Sequence, residues 1–169
     1  MLSYQRLWPC VWRSVSFAMR TILPLVAVCA LAALVAHEAG AYQGCSLTVR
    51  NGSGSSVGRI DSDGTFRNGS GSSVGRFEEG GTVRNASGSS IGKVEPDGTI
   101  RNASGSSIGE IEQDGTLRGS SGSSIGRIED DGTVRNSSGS SRGKFDGYYP
   151  ACRHISAAYL FFFEPLHTY

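Results

Sequence analysis

A fixed period of 17 residues governs what this chain can fold into. Arginine recurs at Arg50, Arg67, Arg84, Arg101, Arg118 and Arg135, and glycine keeps the same step at Gly54, Gly71, Gly88, Gly105, Gly122 and Gly139. A second glycine series runs through Gly58, Gly75, Gly92, Gly109, Gly126 and Gly143. Self-similarity at a fixed period marks a repeat architecture, so the local reading of one unit applies to all. Each unit carries two turn signals. Glu95-Pro96-Asp97-Gly98 sets proline where a type I turn wants φ near about −65° and glycine where the chain must go left-handed. Asn102-Ala103-Ser104-Gly105 repeats that logic with asparagine opening the turn. Two turns in 17 residues leave room for two short strands, and the stretch reads as an antiparallel meander.

The turns also predict register. If Glu95 pairs with Thr99 and Asn102 with Ser106, then Val94 faces Ile100, Ile100 faces Ile108, and all three share one face. Ile108 and Ile111 are three apart, which a regular pleat sends to opposite faces. Gly109 between them is therefore expected to be a bulge or bend that turns both toward one interior.

Composition alone resembles a Gly/Ser linker. From Leu47 to Gly147 only 18 of 101 residues are Leu, Ile, Val or Phe, under the roughly 20% that warns of disorder. The near-zero net charge, the strict apolar positions such as Val83, Ile91 and Val94, and the correct turn stereochemistry argue for a folded domain. A thin core with two open edges would be marginal and sticky, so closure of the meander into a ring is expected. Each unit is too short for a four-stranded propeller blade of about 40 residues.

The stretch Asp97-Gly98-Thr99-Ile100-Arg101-Asn102-Ala103-Ser104-Gly105-Ser106-Ser107-Ile108-Gly109 resembles the repeat of the five-fold β-flower proteins, an uncharacterised exported bacterial family. The resemblance extends to the tail Ala157-Ala158-Tyr159-Leu160-Phe161-Phe162-Phe163 and covers about residues 47–163. It implies an all-β ring behind a signal peptide. Arg142 departs from the pattern by standing where other units have an apolar residue, and residues 148–156 depart as well.

Three segments follow: 1–41 as signal peptide, 47–147 as the hairpin repeat domain, and 148–169 as an apolar segment that packs on the repeats. Arg6, Arg13 and Arg20 lead into an uncharged apolar run at 22–36, and Ala39-Gly40-Ala41 is a small-x-small site, which predicts cleavage after Ala41. Met19 is an alternative start. The apolar run has 15 residues against the roughly 20 that span a bilayer, so a retained membrane anchor is the alternative. No cysteine sits where lipid attachment requires one. The tail is too short to cross a membrane and too apolar for a solvated end; it packs against or into the ring, supplying aromatic bulk that the repeats lack, or forms a patch for a partner.

Cys10 and Cys29 leave with the signal, and Cys45 and Cys152 are expected to remain in an oxidising export compartment that favours disulfides. In a linear solenoid these two would lie at opposite ends. In a closed ring they are neighbours and can bond; otherwise Cys45 lies in a frayed terminus and Cys152 packs as an apolar residue. The mature chain carries 13 Lys and Arg (16 less the three in the leader) against 14 Asp and Glu (15 less Glu38), a net charge of −1. Nothing in that balance points to nucleic acid or an acidic membrane as partner.

Chemical motifs dissolve on inspection. The Gly-x-Ser-x-Gly pattern of Gly54-Ser55-Ser56-Val57-Gly58 recurs around Ser73, Ser90, Ser107, Ser124 and Ser141, but a nucleophile elbow needs a following helix and a nearby histidine. The mature chain offers His154 and His167. The Gly52, Gly54, Gly58 spacing fails a dinucleotide loop. Asp61-Ser62-Asp63-Gly64 and Glu129-Asp130-Asp131-Gly132 lack calcium-loop spacing and read as turn acids. The Asn-x-Ser sequons at Asn51, Asn68, Asn85, Asn102 and Asn136 occupy turn-opening positions, which explains the asparagine without a glycan. No catalytic, cofactor or metal residues are assigned. The six repeat arginines form a belt, read either as a ladder of surface ion pairs screened by Glu78, Glu95, Glu112 and Glu129, or as an anion or glycan site.

The sequence thus predicts a non-catalytic exported repeat domain, periplasmic, cell-surface or extracellular, with a structural or binding role toward an envelope polymer or protein. A surface-active, ice- or glycan-binding protein is the alternative, with one threonine per unit at Thr65, Thr82, Thr99, Thr116 and Thr133. After signal removal no membrane span is expected.

Overall fold

Both turn signals form as their residues dictate. Glu95 N–H donates to Thr99 O (2.8 Å) and Gly98 N–H to Glu95 O (3.0 Å), closing a tight loop in which Gly98 takes φ 95°. In the second turn Asn102 N–H donates to Ser106 O and Gly105 N–H to Asn102 O, both at 3.0 Å, with Gly105 at φ 83°. Side chains reinforce each loop. Asp97 Oδ1 accepts from Thr99 N–H (2.9 Å), and Asn102 Oδ1 accepts from the N–H groups of Ser104 and Ser106 (3.1 and 3.0 Å). The asparagines are therefore held by the turn geometry that the sequence suggested.

The computed structural model describes residues 44–163. The predicted signal, its cleavage site and residues 164–169 lie outside the described residues. Twelve strands follow one another: β1 (Leu47–Asn51), β2 (Ser56–Ile60), β3 (Thr65–Asn68), β4 (Ser73–Phe77), β5 (Thr82–Asn85), β6 (Ser90–Val94), β7 (Thr99–Asn102), β8 (Ser107–Ile111), β9 (Thr116–Gly119), β10 (Ser124–Ile128), β11 (Thr133–Asn136) and β12 (Ser141–Asp146). Each pairs antiparallel with its sequence neighbours, and β1 pairs with β12 through Thr48–Asp146, Val49–Phe145, Arg50–Lys144 and Asn51–Gly143. The meander is thereby a closed barrel of six hairpin units, and closure removes the open edges that would otherwise invite aggregation. A 3-10 turn (Pro150–Cys152) then leads into one helix, α1 (Arg153–Phe162).

Register corrects one expectation. Val94 faces Ile100, but Ile100 faces Gly109 and not Ile108. The bulge exists one residue earlier than expected: Arg101 pairs with Ser107 and Ile100 with Gly109, which leaves Ile108 as the extra residue. Gly109 and Ile111 then follow the ordinary two-residue alternation and both point inward, while Ile108 is only half-buried. The same shift recurs between Val49 and Arg50, Phe66 and Arg67, Val83 and Arg84, and Val134 and Arg135.

The inward glycines make sense only with α1. Eight strands give a barrel that side chains can just fill, and twelve leave a lumen. Here α1 fills it. A Cβ on Gly58 would lie 2.5 Å from the Tyr159 hydroxyl; on Gly75, 2.3 Å from Phe163 Cζ; on Gly92, 2.4 Å from Phe162 Cζ; on Gly109, 2.4 Å from Phe161 Cε1. Consecutive helical residues point about 100° apart, so these four rings spread onto four different hairpins. Bulk is exchanged between the partners: the strands offer glycine where the helix offers rings. Ile60, Phe66, Val83, Val94, Ile100 and Leu117 on the strands and Ser156, Ala157 and Ala158 on the preceding helical turn are all buried. Phe66 meets both Tyr159 and Phe163 with ring centroids 5.7 and 5.0 Å apart, within the range of favourable aromatic pairs.

Cys45 and Cys152 are joined as a disulfide with Cα atoms 5.8 Å apart. The bond ties the residue leading into β1 to the entry of α1. It holds the seam of the ring and the base of its helical filling at one point.

Candidate functional site

Around the outside of the barrel the alternation that sends Ile100 inward sends Arg101 outward, and every unit does the same. The six repeat arginines lie on the short strands and each spans both ends of its strand. Its Nε meets the acid six residues earlier: Arg67–Asp61 (2.7 Å), Arg84–Glu78 (2.8 Å), Arg101–Glu95 (3.7 Å), Arg118–Glu112 (3.0 Å) and Arg135–Glu129 (2.8 Å). Arg50 has no such acid before it and pairs across the seam with Asp146. Each Nη1 also donates to a turn carbonyl four residues on, from Gly54 in the first unit to Gly139 in the last. The guanidinium thus links an acidic turn at one end of the barrel to an Asn/Ser turn at the other.

Facing these arginines directly across the ladder are Arg59, Arg76, Lys93, Glu110, Arg127 and Lys144. Like charges opposite one another destabilise a sheet unless screened. Asp61 screens one such pair by meeting Arg59 at 2.9 Å and Arg67 at 2.7 Å, and Glu95 meets Lys93 at 2.9 Å as well as Arg101. With these groups about 30–60% exposed, each pair contributes little to stability. The equator is a belt of partly neutralised cations with an acidic rim on one side and a neutral Asn/Ser rim on the other.

The rim acids are committed to the fold. Asp63, Asp97, Asp114 and Asp131 each accept a hydrogen bond from the backbone N–H two residues on, which holds their carboxyls below the usual range. Asp131 also accepts from the Thr133 hydroxyl and Lys144 Nζ and is lowered to about 2. Among the described residues no group of three or more His, Cys, Asp or Glu is placed to hold a metal ion. Ser56, Ser73, Ser90, Ser107, Ser124 and Ser141 are exposed at the starts of strands, and the elbow geometry that the motif would require is not formed there. His154 is half-buried on α1, its pKa lowered first by burial and then by neighbouring Arg153.

A second candidate site was not foreseen in the sequence. At the seam, Val49, Val57, Val134, Phe145 and Leu160 line a cavity of about 360 Å³ with Arg142 beside them. The departure of Arg142 from the repeat was the available signal, but only ring closure brings it next to β1.

A meander of hairpin repeats, closed strand to strand, stapled at its seam and filled by its own C-terminal helix, defines a repeat-built β-barrel domain. The family model for the 5-fold beta-flower protein matches residues 46–164, and the chain belongs to that family. This ring holds six hairpins, one more than the family description counts. No curated protein and no solved structure matches the chain significantly. Among the described residues no helix is long and apolar enough to cross a membrane.

Proposed function

We propose that the protein is a non-catalytic exported domain with a structural or binding role at the cell envelope or outside the cell. One observation carries this reading: a ring stapled by Cys45–Cys152 presents the same polar unit six times around its exterior. A structural disulfide persists in an oxidising compartment, which agrees with the signal-like leader at 1–41. Repetition of one weak contact around a ring raises avidity for a repeating polymer without any deep site. The arginine belt, Arg50 through Arg135, is the surface such a polymer would meet. Ice binding by the threonine series has less support, because those residues lie around a curved barrel and the Thr116 and Thr133 hydroxyls donate to Asp114 and Asp131.

Cell fractionation with thiol alkylation tests export. The expected result is mature protein beginning at Tyr42 with both cysteines protected, whereas cytoplasmic protein with free Cys45 and Cys152 would refute export. Material that keeps residues before Ala36 would instead indicate a retained anchor. Binding of the purified mature domain to immobilised envelope polysaccharides, scored against salt, tests the belt. Equal retention of a variant with Arg67, Arg84 and Arg101 changed to Gln would remove the belt from the reading.

A further inference from the structure

The disulfide at the seam is shut off from solvent although it joins two loops. Cys45 is 1% exposed and Cys152 0%, while Gly44, Ser46 and Ala151 beside them are exposed. Tyr149 provides the cover. Its hydroxyl lies 3.7 Å from Cys45 Sγ, and because a disulfide sulfur carries no proton, the hydroxyl is the donor. A Cβ on Gly44 would lie 3.8 Å from the same hydroxyl, so the side chain reaches over Gly44 and Cys45 together. Backbone contacts hold the loop in place. Cys152 N–H donates to Tyr149 O at 2.8 Å, and a Cβ on Gly147 would lie 2.9 Å from Ser46 O. Tyr149 itself is 42% exposed, which no other large hydrophobic side chain is among the described residues. Its ring stands between the bond and the water.

We infer that Tyr149 is a lid on the Cys45–Cys152 disulfide, which bars thiols from the bond in the folded protein and leaves Cys45 as the sulfur they would attack. Thiol–disulfide exchange depends on access and on which sulfur is attacked. Cys152 is fully buried at the N-cap of α1, so the side of the bond that Tyr149 covers is the Cys45 side. With glutathione as reductant, its thiolate bonds to Cys45 Sγ, the S–S bond breaks, and Cys152 leaves as a thiolate. A second glutathione then displaces Cys45, giving oxidised glutathione and two protein thiols. While the lid is shut neither step starts, and the ring stays closed in the presence of thiols. The lid concerns the disulfide alone and does not depend on the arginine belt or on export.

Timed reduction of the folded, oxidised mature protein by glutathione, quenched with acid and read by peptide mass spectrometry, tests the inference. Tyr149→Ala is expected to speed reduction by about tenfold or more, with glutathione on Cys45 and the free thiol on Cys152 in the first product. Tyr149→Leu, which is also too short to reach the sulfur, serves if the alanine variant fails to fold by circular dichroism. Gly105→Ala is the control: it strains a turn at the opposite end of the barrel, where nothing lies within 4 Å of its Cβ. Its rate reports what loosening of the fold alone does to the bond. An acceleration in Tyr149→Ala no greater than in Gly105→Ala, or a first product with glutathione on Cys152, would each overturn the inference. Two free thiols in the purified protein before any reductant is added would overturn it as well.

Discussion

Replacing Gly109 with alanine isolates the contact on which the filled barrel depends. Gly109 has no left-handed backbone to lose, since its φ is not positive. Any cost therefore comes from space. The new methyl would lie 2.4 Å from Phe161 Cε1, 2.6 Å from Phe161 Cζ and 2.5 Å from Arg118 O. The ring can shift at some cost, but the carbonyl belongs to the β8–β9 ladder and cannot. Overpacking of a well-packed core costs about 1–3 kcal/mol, and a close ring contact together with a close contact to a fixed carbonyl puts this site near the top, at about 3 kcal/mol. Gly105→Ala is the control: nothing lies within 4 Å of its Cβ, and the cost is the left-handed strain alone at φ 83°, about 1–2 kcal/mol. Urea unfolding of the oxidised protein measures both. Repeating Gly109→Ala in a Phe161→Leu background should recover at least about 1 kcal/mol, because neighbours in contact couple. If Gly109→Ala costs no more than Gly105→Ala, or if the cycle is additive, the helix does not fill the barrel as described.

Reduction of Cys45–Cys152, or Cys45→Ser with Cys152→Ser, releases a loop whose ends are 107 residues apart and should lower stability by about 4–5 kcal/mol in the loop-entropy account; urea midpoints with and without reductant check it. Gly119 stands where the other turns carry asparagine, its Cβ would meet only Ile125 Cγ2 at 3.4 Å, and Gly119→Asn should restore the side-chain turn bonds and stabilise by about 0.5–1 kcal/mol, read as a raised Tm. Among the described residues the buried Ser156 hydroxyl has no hydrogen-bond partner, so Ser156→Ala should be stabilising by about 1 kcal/mol, and a destabilised variant would reveal a hidden partner. His154 has its folded pKa below its unfolded value near 6.5, so the fold binds fewer protons than the unfolded chain, and stability should fall as pH drops through about 6.5 toward the folded pKa; His154→Gln should flatten the Tm profile over that window.

The sequence by itself determined the local structure. The 17-residue spacing, Pro96 and Asn102 opening their turns, and Gly98 and Gly105 closing them set two hairpin loops per unit, because these are local conformational preferences that repeat with the residues. Alternation put Ile100 inside and Arg101 outside, and open edges argued for closure. The number and placement of fillings were decided by tertiary structure. Gly109 read as a bulge because glycine in a strand signals either a backbone irregularity or a close approach, and spacing alone does not separate the two. Only the arrival of Phe161 from a segment 52 residues later selected the second meaning and moved the bulge to Ile108. The placement of the tail's rings has the same origin: Tyr159, Phe161, Phe162 and Phe163 each meet a strand glycine that local sequence could not pair with them. The seam cavity, lined by residues of β1, β12 and α1, exists only once the ring is closed and β12 lies beside β1, a pairing of segments about a hundred residues apart that local preferences do not set.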